Sequence, residues 1–388
     1  MLLRFTRLLA HTARVTWWMT VLLAAACGQG VAPGTPAREP AITLIPSDFT
    51  STPPITALPA TATLPPTMPP ATSTPSPAPP SPTPSPTPVP VIHLMAVGDV
   101  MLGRTVGDAI GAKGPDVVFS AVKPVLSSAD LLVANLECVI SELGQAQPKA
   151  YRFRAPPEAA DALVSGGFNI VSLANNHAMD YGSAALSDMT QKLEDRHILT
   201  VGAGKNAEAA HAPVIVERNG LRVAFLAYVD VLEESRTGFD TRTWIAGKNT
   251  PGIAWAEPKR MAADIQAAKA QADLVIVLLH AGLEGRTEVY PSQEAEARAA
   301  IDAGAALVLG SHPHVLQRTE SYHGGLIVYS LGNFVFDGFT VPENYTAIFT
   351  ASLSSTGVEE YTWIPAVIED GLPRLATEEE AAKILANP

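Results

Sequence analysis

From about residue 91 onward, short apolar runs alternate with amphipathic segments. Residues 91–97, 131–134, 170–173, 274–279 and 305–309 have the length and composition of buried strands. Apolar residues recur at helical spacing in 117–127, 158–164, 183–193, 258–272, 292–303 and 377–385. Strands that alternate with helices are typical of a largely parallel sheet that is covered on both faces.

A second sheet is indicated by a hairpin and by a β-rich stretch late in the chain. Asn219-Gly220 joins the apolar runs 214–216 and 223–228, and this dipeptide is a strong signal for a tight hairpin. Further strand-like runs cover 325–330, 347–353 and 361–367. We therefore expect an α/β protein whose second sheet is mixed.

The first 90 residues lack this alternation. Three arginines precede the apolar segment 15–26, which predicts a secretory signal peptide. Small residues directly before Cys27 resemble a bacterial lipobox, so Cys27 is the predicted lipidation site; an ordinary signal peptide and an uncleaved anchor are the alternatives. The predicted organisation is a signal at 1–27, a linker at 28–90 and a folded domain at 91–388.

The linker is rich in Pro, Thr and Ser and holds more than half of the chain's 34 prolines. Such a segment has too few apolar residues to offset the entropy lost on folding, so a disordered, extended tether is predicted. A signal, a lipid anchor and a spacer together predict an extracytoplasmic, membrane-anchored protein.

The charge of the chain restricts its partners. The formal net charge is −12, and loss of the predicted signal would make it more negative, because that segment carries arginines and no acid. This balance argues against a nucleic-acid partner, since such binding needs a basic face. An anionic substrate would need a local positive site, such as a metal ion with arginines.

Polar side chains collect where the predicted strands end. Ligands bind at the carboxyl ends of parallel strands in open α/β sheets. Mixed imidazole and oxygen ligands suit Zn, Mn or Fe, and a shared carboxylate can bridge two ions. We therefore expect one or two divalent ions to be bound at this edge by Asp99, Glu137, Asn176, His280, His312 and His314.

The same motifs resemble the CapA family of capsule-synthesis proteins, which are linked to poly-γ-glutamate. The resemblance covers about 92–381 and is carried by Gly98-Asp99, Asn135-Leu136-Glu137, Asn175-Asn176-His177-x-x-Asp180-x-Gly182, His280-x-Gly282-x-Glu284, His312-Pro313-His314 and Ser330-Leu331-Gly332-Asn333-Phe334. This family in turn resembles calcineurin-like metallophosphatases. That likeness implies a two-sheet α/β/β/α sandwich with a dinuclear metal site, although Met101 stands where the phosphatase pattern has a histidine ligand.

Three further groups of residues are candidates around this site. The resemblance implies that His177 is a catalytic acid, and Asp180 is placed to orient its imidazole. Arg104, Arg152 and Arg154 either bind a carboxylate or phosphate group of the substrate or pair with internal acids. Glu284 either lies behind the metal ligands or is a solvated loop acid.

Three functions remain open from the sequence. The first is a CapA-type envelope protein that acts in synthesis, export or attachment of an anionic polymer such as poly-γ-glutamate, with membrane-embedded synthesis or export proteins as partners. The second is a metal-dependent hydrolase of phosphoesters or γ-glutamyl amides. The third is a lipoprotein that binds the polymer as a scaffold and has no catalytic activity.

Overall fold

The computed structural model describes residues 90–234 and 238–386 of the chain. The predicted signal peptide, the lipidation site Cys27 and the Pro-rich tether lie outside these residues. The domain boundaries proposed from the sequence, with a folded domain at 91–388, stay a prediction.

The strands follow one another along this part of the chain in short segments. They are β1 Ile92–Val100, β2 Leu131–Leu136, β3 Val139–Ile140, β4 Arg154–Ala155, β5 Ile170–Ser172, β6 Leu199–Val201, β7 Ala203–Gly204, β8 Val214–Arg218, β9 Leu221–Asp230, β10 Glu233–Glu234, β11 Phe239–Asp240, β12 Gly252–Ile253, β13 Leu274–Ala281, β14 Leu307–Ser311, β15 Thr319–Tyr322, β16 Gly325–Val328, β17 Asn333–Val335, β18 Tyr345–Ser354, β19 Gly357–Glu369 and β20 Leu372–Leu375.

Helices connect most of the parallel strands. They are α1 Arg104–Lys113, α2 Lys123–Leu126, α3 Ala159–Gly166, α4 Gly182–Glu194, α5 Ala207–His211, α6 Pro258–Lys269, α7 Pro291–Ala303 and α8 Glu378–Ile384. Two 3₁₀ turns lie at Pro115–Val117 and Thr241–Trp244. Among the described residues, no helix has both the length and the apolar character needed to cross a bilayer.

Most strands of the described part belong to two mixed sheets. The larger sheet has the order β20-β19-β18-β1-β2-β5-β6, with β17 also paired to β1. The smaller sheet has the order β15-β16-β14-β13-β9-β8. In the larger sheet β1, β2, β5 and β6 are parallel, and β18, β19 and β20 continue the sheet on the other side of β1 as antiparallel strands. In the smaller sheet the central strands are parallel and both edge pairs are antiparallel.

The two sheets share one apolar core and carry helices on their other faces. Phe225 and Ile276 of the smaller sheet belong to the same buried cluster as the residues of β1. On the opposite face of that sheet, Met261 of α6 and Ile301 of α7 pack with Val277. Helices α1, α3 and α4 contribute buried side chains to the core of the larger sheet. The predicted α/β/β/α two-sheet sandwich is therefore confirmed.

Two details differ from the sequence-based expectations. The hairpin and the late β-rich stretch do not form one sheet, because β8 and β9 lie in the smaller sheet and β18 to β20 lie in the larger one. The helix expected at 117–127 is reduced to a 3₁₀ turn and the four residues of α2. Pro124 explains the second difference, because a proline in the interior of a helix running from 117 would lack an N–H donor and clash with the preceding turn, whereas it is tolerated in the first turn of α2.

Candidate metal centre

The carboxyl ends of the central strands of both sheets meet at one place. Asp99 of β1 pairs in register with Asn135 of β2, and His280 of β13 pairs with Ser311 of β14. Asn135 joins the two sheets, since its Nδ2 lies 2.8 Å from Oδ1 of Asp99 and 3.2 Å from Nδ1 of His280. Residues that are far apart in sequence are thus brought together by strand register.

Two glycines allow the backbone to pack tightly around these strand ends. A Cβ atom at Gly98 would lie 1.8 Å from the carbonyl oxygen of Gly332, and one at Gly310 would lie 1.9 Å from that of Tyr329. Both positions therefore exclude every residue with a side chain unless the backbone shifts. The close approach places Asp99 and His312, which follow these glycines, next to one another.

The two histidines of the His312-Pro313-His314 turn have unusual backbone geometry. Their φ angles are 96° for His312 and 60° for His314, in the left-handed region that residues with a side chain rarely adopt. Such strain persists where surrounding contacts enforce it, and it is concentrated at functional sites. Here the contacts are with Asp99, whose Oδ2 accepts a hydrogen bond from the His312 N–H at 3.4 Å and lies 3.1 Å from Nδ1 of His314.

Three overlapping groups of side chains have ligand atoms within 4.8 Å of one another. They are Glu137 with His280 and His312, Asp99 with Glu137 and His314, and Glu284 with His312 and His314. Glu137 is common to the first two groups, which is the arrangement expected of a carboxylate that bridges two ions. Asn176 belongs to the same cluster, because its Oδ1 lies 2.8 Å from Nε2 of His280.

Two buried polar atoms in this cluster lack a protein partner. Oε1 of Glu137 and Nδ1 of His312 have no hydrogen bond within residues 90–234 and 238–386. A buried carboxylate oxygen and a buried imidazole nitrogen are costly to leave unsatisfied, so each such atom calls for an explanation. The combination of imidazole nitrogen, carboxylate oxygen and unsatisfied ligand atoms fits a divalent transition ion.

The pKa shifts in the cluster are consistent with metal binding. Burial, followed by the charges of Asp99 and Glu284, raises the pKa of Glu137 well above its usual value. Burial and the neighbouring histidines depress the pKa values of His280 and His312, so these imidazoles are neutral and able to bind a metal. Burial also acts to lower the pKa of His314, but the hydrogen bond and charge of Asp99 outweigh it and raise that pKa.

His177 lies beside the cluster, and contacts on two sides of its ring fix its position. Its Nδ1 lies 2.7 Å from Oδ2 of Asp180, and its ring stacks on Phe153 with centroids 4.1 Å apart. Its Nε2 lies 4.0 Å from Oε1 of Glu137. Burial lowers the pKa of His177 to about 4. A proton on Nδ1 can be donated to Asp180, which leaves Nε2 directed at the cluster.

Lys149, which the sequence analysis does not single out, holds Asp180 in position beside His177. Its side chain is completely buried, and its Nζ lies 2.6 Å from Oδ1 of Asp180. The same Nζ donates a hydrogen bond to the backbone carbonyl of Asn176. Lys149 comes from an irregular segment between β3 and β4, where no periodic pattern marks a buried position.

A cavity of about 620 Å³ opens onto the cluster. Asn176, His177, Glu284, His312 and His314 line it. Its other walls include three phenylalanines and two arginines, namely Phe153, Phe336, Phe339, Arg104 and Arg286. The cluster is thus accessible to a ligand that has anionic and apolar parts.

Comparison with known proteins identifies the family. A family model described as bacterial capsule synthesis protein PGA_cap matches residues 93–338. The chain belongs to this family. Capsule biosynthesis protein CapA of Bacillus anthracis is 35% identical over 289 residues, which cover 72% of this chain and 68% of that protein. PGA biosynthesis protein CapA of Bacillus subtilis (strain 168) is 34% identical over 287 residues, covering 73% of each chain.

A solved structure is also similar. It is that of a hypothetical protein from Thermus thermophilus, which is 15% identical, with a TM-score of 0.45 and coverage of 71% of this chain and 98% of that one. The resemblance to the CapA family that the motifs of the sequence indicate is confirmed by the family match and the curated relatives.

The three arginines that the sequence marks as substrate ligands lie in different places in this PGA_cap chain. Arg104 lines the cavity, where it forms an ion pair with Asp337 and lies over the ring of Phe153. Arg152 donates to a backbone carbonyl at 3.1 Å, and Arg154 stacks over Tyr181, 3.5 Å from the ring centroid.

Within the described residues, neither Arg152 nor Arg154 lines the cavity. Arg286, which the sequence analysis does not single out, does so. It lies in the loop that follows β13, six residues beyond His280, and this position after a strand that ends in a candidate ligand is the signal that marks it.

Met101, which stands where the phosphatase pattern has a histidine, is fully buried in the core. Its Sδ accepts a hydrogen bond from the backbone N–H of Gly103 at 3.1 Å. The side chain therefore serves to fix the chain between β1 and α1.

Proposed function

We propose that this protein uses a divalent-metal centre to act on a capsule polymer of the poly-γ-glutamate type in the cell envelope. The supporting observation is the group of buried carboxylates and neutral imidazoles, with two unpartnered ligand atoms, beside a cavity that is also lined by arginines. The names of the Bacillus relatives, capsule biosynthesis protein CapA and PGA biosynthesis protein CapA, supply the class of polymer. The role lies in its synthesis, export or attachment.

In this proposal two overlapping groups, Glu137, His280 and His312 with Asn176, and Asp99, Glu137 and His314, together hold one or two ions. A bound divalent ion supplies Lewis acidity toward an oxygen of the substrate. The identity of the ion is Mn, Zn or Fe, the metals that mixed nitrogen and oxygen ligands accept.

The arginines of the cavity can pair with the negative charge of the polymer. The chain has a formal net charge of −12, so an acidic polymer meets a repulsive field over most of its surface. Arg286 provides local positive charge for a carboxylate, which a guanidinium group binds in a bidentate way, and Arg104 adds a second guanidinium group that is already paired with Asp337. The three phenylalanines of the wall suit the methylene groups of a glutamyl chain.

A second candidate function, hydrolysis of phosphoesters or γ-glutamyl amides, is favoured by one specific observation. His177 lines the cavity, is oriented by Asp180 and directs Nε2 toward the cluster. A positioned imidazole of this kind can move a proton to or from a reacting group. The same residue would serve cleavage of the polymer or of a smaller phosphoester.

Metal analysis combined with an activity panel tests both functions. The purified full chain should contain or take up one or two equivalents of Mn²⁺, Zn²⁺ or Fe²⁺ by mass spectrometry of the metal. It should bind or cleave poly-γ-glutamate in preference to bis(p-nitrophenyl) phosphate; the reverse preference would favour the phosphoesterase. A chain that binds the polymer but takes up no metal would overturn the proposal and leave a scaffold role.

The proposal also includes the location of the protein in the cell envelope. The Arg-rich start, the apolar segment and Cys27 support a secreted protein that is attached to the membrane by a lipid, with the Pro-rich tether as a spacer. Membrane-bound synthesis or export proteins are the partners that this location offers.

A further inference from the structure

We propose that Glu284 is an additional metal ligand, which together with His312 and His314 holds a divalent cation on the cavity side of the centre. This inference rests on the metal-dependent function proposed above. The sequence allows two roles for Glu284, which are support of the metal ligands from behind and a solvated loop acid. The inference replaces both with direct binding of the metal.

The first support is the geometry of the three side chains. One carboxylate oxygen of Glu284 and one ring nitrogen from each of His312 and His314 lie within 4.8 Å of one another. Two imidazoles and one carboxylate form a ligand set that catalytic zinc sites use, with a remaining position left open for water or substrate. All three residues line the cavity, so the open position faces it.

The second support is the difference in exposure between this carboxylate and the others. Asp99 and Glu137 are completely buried, whereas Glu284 is exposed. Glu284 therefore approaches the histidines from the solvent side, opposite the buried carboxylates. An ion bound there is the one that a carboxylate group of an incoming polymer can reach directly.

The third support is that the backbone fixes the position of the Glu284 loop. The N–H of Gly285 donates a hydrogen bond to the carbonyl of Pro313 at 2.9 Å, which ties this loop to the histidine turn. Gly282 has a φ of 111°, and a Cβ there would lie 2.8 Å from Oε1 of the buried Gln293. The loop is thus packed against the turn that carries both histidines.

The fourth support is the unsatisfied nitrogen of His312. Among the residues described, nothing forms a hydrogen bond with its Nδ1, although the atom is buried. His312 belongs both to the group with Glu137 and His280 and to the group with Glu284. Its ring is therefore shared between the buried part of the centre and the group that contains Glu284.

The test compares two acidic residues of the same loop. Glu284→Gln removes the proposed ligand charge with little change in shape, and Glu288→Gln makes the same change at an exposed residue that belongs to none of the candidate metal groups. Zn²⁺ and Mn²⁺ are titrated into the full chain and both variants by calorimetry, and bound Mn²⁺ is also followed by its paramagnetic resonance spectrum.

We expect Glu284→Gln to weaken binding of the cavity-side ion by at least tenfold, since even residues behind a metal ligand change affinity by about 10- to 100-fold. Glu288→Gln should bind as the wild type does. Glu284→Asp should recover part of the loss, because it keeps the charge.

Two outcomes separate this inference from the proposed function. If the wild type binds the ions and Glu284→Gln binds them equally well, Glu284 is no ligand and only this inference fails. If the wild type binds neither Zn²⁺ nor Mn²⁺, both the proposed metal centre and this inference fail.

Discussion

The Nζ atom of Lys149 lies 2.6 Å from Oδ1 of Asp180, and both side chains are completely buried. Asp180 uses its other oxygen to accept a hydrogen bond from the backbone N–H of Phe153 at 2.7 Å and to contact Nδ1 of His177. The orientation of His177 at the cavity therefore depends on a buried ion pair. Lys149 is the buried positive partner of the Asp180 carboxylate.

The first prediction concerns this pair. Lys149→Met should lower the free energy of unfolding by about 3–5 kcal/mol, because it leaves a buried carboxylate without its counter-ion. The combined variant Lys149→Met with Asp180→Asn should be more stable than Lys149→Met, since it removes the uncompensated charge as well. Urea denaturation of the three proteins measures both effects.

Lys383→Met is the matched control. Lys383 pairs with Glu379 at 2.7 Å on the surface of α8, with both side chains more than half exposed. Its loss should leave the denaturation midpoint unchanged, because exposed ion pairs contribute little. Equal effects at Lys149 and Lys383 would show that burial of the Lys149 pair has no bearing on stability.

The second prediction separates metal binding from proton transfer. His312→Ala should lose bound metal, because His312 belongs to two of the three ligand groups. His177→Ala should retain the metal and lose turnover, since His177 lies beside the cluster, 4.0 Å from Oε1 of Glu137. Metal content and activity are measured on the same preparations. Loss of metal from His177→Ala would instead make His177 a ligand.

The strand ends of this protein could be predicted from the sequence because each follows a short apolar run. Asp99, Glu137, His280 and His312 are therefore recognisable, and the parallel arrangement brings them to one edge. The same logic indicates Arg286 only weakly, because it lies several residues beyond the end of β13.

Other features depend on contacts that no local pattern encodes. Lys149 is buried through pairing with Asp180, 31 residues away, and lysine is otherwise among the residues most often exposed. The placement of β18 to β20 beside β1 depends on long-range pairing, such as Ile92 with Leu353. Periodicity predicts that these segments are strands but not which sheet they join.

The third prediction concerns the membrane anchor. Cys27→Ser should release or mislocalise the protein, because serine cannot accept the thioether-linked lipid. Fractionation of cells that express the wild type and the variant shows the difference. A variant that stays with the membrane would identify the uncleaved apolar segment 15–26 as the anchor.

The last prediction uses a second buried acid, away from the metal centre. Glu296 of α7 is buried, and its Oε2 has no hydrogen-bond partner in the described part of the chain. Burial, followed by the charge of Asp230 and a hydrogen bond with it, raises the pKa of Glu296 to about 9. At neutral pH the folded protein therefore keeps this side chain protonated, whereas the unfolded chain ionises it at its usual pKa of 4.5.

The sign of the resulting pH dependence follows from proton uptake. Between pH 4.5 and about 9 the folded state binds one more proton at Glu296 than the unfolded state does, so this residue makes stability fall as pH rises. The slope is at most about 1.4 kcal/mol per pH unit. Glu296→Gln cannot ionise, so its free energy of unfolding should fall less than that of the wild type between pH 5.5 and pH 8, two values inside this window. Urea denaturation at both values measures the difference, and parallel pH profiles for the two proteins would show that Glu296 is ionised in the folded state.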